Sequence, residues 1–295
     1  MFLVHILGVS TTHAGIFGET AAYYGTVEQQ GRLTSHLHLL LWIASSLSPQ
    51  EIRDKLTSQD SKFQKALIDY LESVHRGEFL TGPLEQVRLK VPNAPKKSGS
   101  GIHEIIENND GMLYIPGYKD PTQTLPEIPP PLCKTIGCMK NDCPECMQSN
   151  QWGGKYEETV DDILLRSNMH TCKPMYNDDT VIKPTDTTSQ SAIKRSAYRG
   201  CQNREGECVK RFPRDTFPES TVDPNDGHLD FKKLESMMNT ITPELSYAIR
   251  ANTDVTSLLS GTAVKAVVAY VSDYITKQSL KTHQIFGLLA DIMEK

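Results

Sequence analysis

Long apolar runs are missing from this 295-residue sequence. A membrane span needs about 18 consecutive apolar residues, and the best stretches, Leu37–Ala44 and Ala263–Val271, carry His38 and Lys265. The opening Met1–Gly15 has an apolar patch but no basic n-region and no cleavage-like close, so no signal peptide is expected. A basic excess is missing too. Lys plus Arg number 31 against 36 Asp plus Glu, net −5, which excludes a globally basic nucleic-acid coat but leaves room for a local basic surface. There is no internal repeat, no GxxxxGK[ST] phosphate loop and no HExxH helix motif. A P-loop motor is therefore not expected, and a zinc hydrolase is disfavoured. With 38% hydrophobic and 23% charged residues, the chain reads as globular, with one large domain or two smaller ones.

Composition divides the chain into four parts. Residues 1–90 carry strand and helix signals. Residues 91–132 hold eight of the 17 prolines and the Lys96-Lys97-Ser98-Gly99-Ser100-Gly101 stretch, which predicts a linker or a long surface excursion. Residues 133–215 contain all seven cysteines, and residues 216–295 return to helical patterning. Ala21–Gln30 and Thr34–Ile43 read as strands around a Gly31-Arg32-Leu33 turn. Pro49–Thr57 and Lys62–His75 have helical spacing, with Ser48 and Glu51 placed to form a capping box on the first. Thr256–Lys277 is mostly helical in period, with Gly261 a potential break.

Two further patterns carry chemistry. His36-Leu37-His38 places two imidazoles on one face of the second strand, about 7 Å apart. With a three-residue turn, Glu28 falls opposite His36 on that face and Gln30 opposite Thr34. Two imidazoles and a carboxylate or amide suit a divalent ion that polarises a phosphate. Two half-buried, hydrogen-bonded histidines account for the pair equally well. Far downstream, Tyr270 and Tyr274 stand one turn apart on one helix face, with Lys277 a turn beyond. A phenol has a pKa near 10 and needs an activated electrophile or nearby cation to act as a nucleophile. An aromatic i,i+4 packing pair is the plainer reading of these residues alone.

Cys133-x4-Cys138-x4-Cys143-x2-Cys146, His170-x-Cys172 and Cys201-x6-Cys208 make eight soft ligands, the number that two closed tetrahedral zinc sites need. Neighbouring pairs can combine into two sites in three ways, and spacing does not choose among them. Gly137, Pro144 and Gly206 favour the turns between ligands. The stretch is poor in apolar residues, so coordination is expected to fold it. From Ser191 to Asp215 seven basic residues stand against three acidic ones; a solvated surface loop accounts for such a run as well as the expectation that Lys210, Arg211 and Arg214 meet a phosphate backbone without reading sequence.

The blocks Gly15-Ile16-Phe17-Gly18-Glu19, Ala22–Arg32 and His36–Trp42 resemble the Helitron helicase-like domain. This is the HUH-type nuclease region of rolling-circle transposon proteins, in a form associated with fungal genomes. Cys208–Arg214, Asn252-Thr253-Asp254-Val255 and Tyr270–Lys277 extend the resemblance over nearly the whole chain in the family's order. The resemblance implies an α+β fold: an antiparallel HUH-nuclease-like sheet with packed helices and an inserted cysteine-rich zinc module. It implies Mg²⁺ or Mn²⁺ on His36, His38 and Glu28 or Gln30, nucleophilic Tyr270 and Tyr274 assisted by Lys277, and nicking of single-stranded DNA through a 5′-phosphotyrosine. Departures are Leu33-Thr34-Ser35, where the family pattern reads Gly-Thr-Leu, and the short stretch before the hairpin, where the family has a further strand. The chain is thus expected to be a fragment without the helicase domain, nuclear by virtue of its DNA partner and not membrane-bound. The competing expectation is a catalytically inactive transposon remnant that keeps zinc and DNA binding.

Overall fold

The computed structural model describes residues 2–29, 35–58, 60–91, 118–135, 138, 142–173 and 200–276. It mixes helices with two small antiparallel sheets and separates into two compact units. The first unit comprises Met1–Lys65, Asp223–His228 and Ser257–Lys295; the second comprises Ala66–Val222 and Leu229–Thr256.

The first unit is organised by a two-stranded ribbon of β1 (Thr20–Gln29) and β2 (Ser35–Ile43). Its register pairs Glu28 with His36, Thr26 with His38 and Val27 with Leu37, with an irregularity between Thr20 and Ala22. The expected register near the histidines is thereby found. Gln30 and the Gly31-Arg32-Leu33 turn lie outside the described residues. The preceding segment is anchored by Thr20 Oγ1 donating to the Leu7 carbonyl (2.6 Å). Glycine is needed at 15, because a β-carbon would sit 2.3 Å from the Leu7 carbonyl carbon. Helix α1 (Pro49–Thr57) begins at Ser48, whose hydroxyl accepts from the Glu51 amide while the Glu51 carboxylate accepts from the Ser48 backbone. The capping box read from sequence is present. Helix α2 (Ser61–Val74) follows, and its residues from Ala66 on, with buried Leu71 and Val74, belong to the second unit. The first unit closes with α6 (Gly261–Thr276), which packs on β1. Gly261 starts this helix and does not break it, because Ser260 Oγ accepts from the Ala263 amide and caps the first turn.

The second unit is built around a helix that the sequence reading did not separate from the cysteine-rich stretch. Helix α4 (Pro144–Ser167) runs for 24 residues, and Val160, Ile163 and Leu164 are fully enclosed. Val160 and Leu164 form a core with Phe79, Val87, Met238 and Ile241, packed by α3 (Leu84–Lys90). The expectation that residues 133–215 are too polar to bury surface is corrected here: a one-sided apolar stripe suffices for a helix that others cover. Short strands β3 (Thr221–Val222) and β4 (Leu229–Asp230) pair antiparallel, and α5 (Pro243–Ile249) packs on α4. Buried Asp161 accepts from the Leu80 and Thr81 amides and the Thr81 hydroxyl at 2.7–2.8 Å. That one carboxylate fixes the turn before α3. The tail of the proline-rich stretch is also ordered: Pro121 is buried, and the Tyr118 hydroxyl donates to Asp162, which also binds Arg166 (2.5 Å).

Among the described residues the sheets hold two strands each, so a larger nuclease sheet is not formed by them.

Candidate metal centres and histidine ribbon

All eight soft ligands gather into two tetrads in the second unit. Cys133, Cys138, Cys143 and Cys146 bring their sulfurs within 4.8 Å of one another, and so do the ligand atoms of His170, Cys172, Cys201 and Cys208. The chain thus takes one of the three pairings left open by spacing: the first four cysteines together, the rest with histidine. Both groups can hold a metal ion. Two thiolates on a tetrahedral zinc stand about 3.8 Å apart, from bonds of about 2.3 Å. Cys133 Sγ and Cys143 Sγ are 3.8 Å apart. His170 Nε2 lies 3.2 Å from Cys201 Sγ and 3.3 Å from Cys208 Sγ, aimed between them.

Local backbone makes each centre. Cys143 is the N-cap residue of α4 and Cys146 sits in its first turn, so Pro144 starts the helix while two sulfurs flank it. In the second centre, Gln202 and Cys208 form a bridge closed by Gly206, whose φ of +81° suits glycine. The Val209 amide donates to the Cys201 carbonyl (2.8 Å), and the Arg211 amide to the Cys208 carbonyl (2.7 Å).

Burial and crowding shift the thiols of the two groups away from the ordinary value. Desolvation, with hydrogen bonds from Cys143, Cys138 and Cys133, pushes the Cys146 thiol up to about 12. Desolvation and the neighbouring Cys208 and Cys201 push Cys172 up to about 11. Crowded sulfurs resist ionising together, and a divalent ion reverses that by deprotonating its thiol ligands outright. Cys208 already leans that way. Against desolvation, the Phe212 and Lys210 amides hold it below the ordinary thiol value. His170 is kept below its usual value by desolvation and by Arg214 and Lys210, which favours the neutral, ligating imidazole.

A basic cleft of about 390 Å³ adjoins the second centre, lined by His170, Lys173, Lys210, Phe212, Arg214 and Asn239 among others. Phe212 stacks on the His170 ring (centroids 4.2 Å apart), and the Arg214 guanidinium lies 4.7 Å from the Phe212 centroid. Lys210 and Arg214 were expected from sequence. Lys173 was not, although it stands one residue after a ligand and enters the cleft with the metal loop. Arg211 is exposed beside the cleft and does not line it.

In the first unit, Glu28 Oε2 is 3.7 Å from His38 Nε2, across the ribbon from His36. The Tyr270 ring of α6 meets the His38 ring edge-on, with centroids 5.6 Å apart. His36, His38, Glu28 and Tyr270 therefore lie at one locality. The ligand atoms of Glu28, His36 and His38 do not draw within the 4.8 Å that marks the cysteine tetrads. Tyr274 lies one turn on in the α6 backbone, but its side chain, like Lys277, falls outside the described residues.

Comparison with protein-family models, curated proteins and solved structures found no match for this chain.

Proposed function

We propose that this chain is a metal-dependent single-strand DNA nicking and strand-transfer protein of the HUH type, stabilised by two structural zinc centres. The observation that carries the reading is the edge-on meeting of Tyr270 with His38, which brings residues more than 230 positions apart to one place. Their closeness is what a tyrosine nucleophile and a phosphate-polarising ion require.

Two imidazoles and a carboxylate fit a divalent cation by donor chemistry. Mg²⁺ or Mn²⁺ bound by His36, His38 and Glu28 would offset charge on a pentacovalent phosphorus. Tyr270 gives up its phenolic proton to solvent water, its oxygen attacks phosphorus, and the P–O3′ bond breaks as the departing 3′ oxygen takes a proton from water. The product is a 5′-phosphotyrosine and a free 3′-hydroxyl. Glu28, whose carboxylate lies 3.7 Å from His38 Nε2, would complete that ligand set. Tyr274 is the second nucleophile of the proposal, and Lys277 supplies positive charge near it. In the second unit, Lys173, Lys210 and Arg214 grip the strand's phosphates, with Arg211 beside them. The zinc ions belong to the two tetrads and hold the fold.

The reading is tested by incubating the zinc-loaded protein with labelled single-stranded oligonucleotide and Mn²⁺, followed by a denaturing gel. A covalent adduct is expected, lost in Tyr270→Phe and in the His36→Ala, His38→Ala double variant. The inactive-remnant reading is favoured by the two-stranded ribbon and by ligand atoms that stay apart. Tight DNA binding with two zinc ions and no adduct would establish the remnant and refute nicking.

A further inference from the structure

A second cleft lies in the same unit, lined by none of the eight metal ligands, and its chemistry is not used by the reading above. It measures about 550 Å³ and is lined by Asp120, Gln123, Arg166, Ser167, Arg250 and Asn252 among others, the Asp120 carboxylate facing Arg166. Arg250 is its unusual member. It closes α5 with φ +58° and ψ 29°, a left-handed conformation that glycine or asparagine normally takes at a helix end. Its side chain is only 8% exposed. The guanidinium lies over the Tyr247 ring, 4.4 Å from the centroid, and Nη1 donates to the Pro121 carbonyl at a long 3.5 Å. Nε is buried with no hydrogen-bond partner, and among the described residues no carboxylate pairs with this cation.

Arg166 lines the same cleft and is paired differently. It takes Asp162 (2.5 Å) and Asp120 (3.8 Å), so the acidic groups nearby are committed to it. A buried cation with no counter-charge is costly to the fold, and a strained backbone that keeps a large side chain in place commonly marks a binding site. A guanidinium presents a planar fork that suits an oxyanion bidentately. The carboxamides of Gln123 and Asn252 add neutral donors around it.

We infer that Arg250 is the anchor of a phosphate-binding site in this cleft, taking either a phosphodiester of a nucleic-acid strand or the phosphate of a small molecule. The inference does not depend on nicking chemistry or on the ribbon.

Calorimetric titration of the whole zinc-loaded chain with inorganic phosphate tests it, alongside thermal unfolding in phosphate and in chloride of equal ionic strength. Wild type should bind phosphate and unfold at higher temperature in it. Arg250→Gly suits the left-handed backbone and removes the buried charge. It should remain folded in chloride while binding phosphate about tenfold or more weakly, the scale of a lost charge-assisted hydrogen bond. Arg250→Asn, which also tolerates this conformation, serves if the glycine variant does not fold. Displacement of phosphate by a short oligothymidylate assigns the site to a strand; simultaneous binding assigns it to a small phosphorylated ligand. Equal phosphate affinity in wild type and a folded Arg250 variant, or no phosphate binding by wild type, overturns the proposal.

Discussion

Removing metal should dismantle more than the two cysteine loops. The first tetrad includes the N-cap and first turn of α4, at Cys143 and Cys146, and the second begins at His170, just past the end of that helix. The two centres therefore clamp both ends of the element that gives Val160, Ile163 and Leu164 to the core. Structural zinc contributes about 10–16 kcal/mol of apparent folding free energy in small zinc peptides. A whole domain is stable by only about 5–15 kcal/mol. Losing one centre alone is thus comparable to the total stability of the second unit. The experiment is titration of the zinc-loaded protein with a strong chelator, followed by far-ultraviolet circular dichroism and tryptophan fluorescence. Trp152 reports directly, because it lies in α4 and stacks on Tyr156 with centroids 5.3 Å apart. Helical signal should fall and Trp152 emission should shift red as two equivalents of zinc leave. Quantitative zinc release with both spectra unchanged would refute the argument.

Three other outcomes follow from the same packing. Asp161→Ala strips acceptors from two backbone amides and a hydroxyl, and should cost about 3 kcal/mol in urea unfolding; a loss under 1 kcal/mol would contradict it. Burial lowers the pKa of His75, against the Nδ1 contact with the Leu71 carbonyl (3.1 Å) that works to raise it. The unfolded chain then takes up the proton first, so His75's contribution is whole above about pH 6.5 and declines as pH falls through the lowered folded value; urea midpoints of wild type should drop more steeply than those of His75→Gln between pH 7 and 5.5. Hydrogen exchange should show the β1–β2 ribbon opening at far lower free energy than α4, because an isolated two-stranded ribbon is marginal in water.

What the sequence made legible was local. Ser48 and Glu51 sit three residues apart and satisfy each other, so α1 could be placed without its surroundings. The alternation through His36-Leu37-His38 gave the ribbon, and a short turn was enough to set Glu28 against His36. The eight metal ligands were visible as residue types, since cysteine pairs at short spacing have few other uses. Their grouping was not, because the choice depends on where α4 places Cys143 and His170. Helix α4 itself was obscured by Gly153-Gly154 and a polar first half, with its apolar stripe confined to Tyr156, Val160, Ile163 and Leu164. The Arg250 cleft had no sequence signal. It forms only when the 120s, the end of α4 and the end of α5 meet, and an arginine in a left-handed helix cap follows no local preference.

The ribbon and the metal centres stand on different energetic footing, and this separates binding from chemistry. Metal held by the two tetrads, together with the Phe79–Ile241 core, would fix the second unit independently of the ribbon, so the proposed affinity for a strand through Lys173, Lys210 and Arg214 needs nothing from β1 or β2. Nicking asks more. His36 and His38 must hold their rings against a cation. Tyr270 packs edge-on against His38 and helps to hold that ring. Replacing it therefore removes the proposed nucleophile and a support for the ligands in one step, and a dead Tyr270→Ala says little about which was lost. Tyr270→Phe keeps the ring contact and deletes only the hydroxyl. Loss of the adduct in Tyr270→Phe with Mn²⁺ binding intact assigns the phenol to the chemistry, whereas an adduct that persists moves the nucleophile elsewhere on α6.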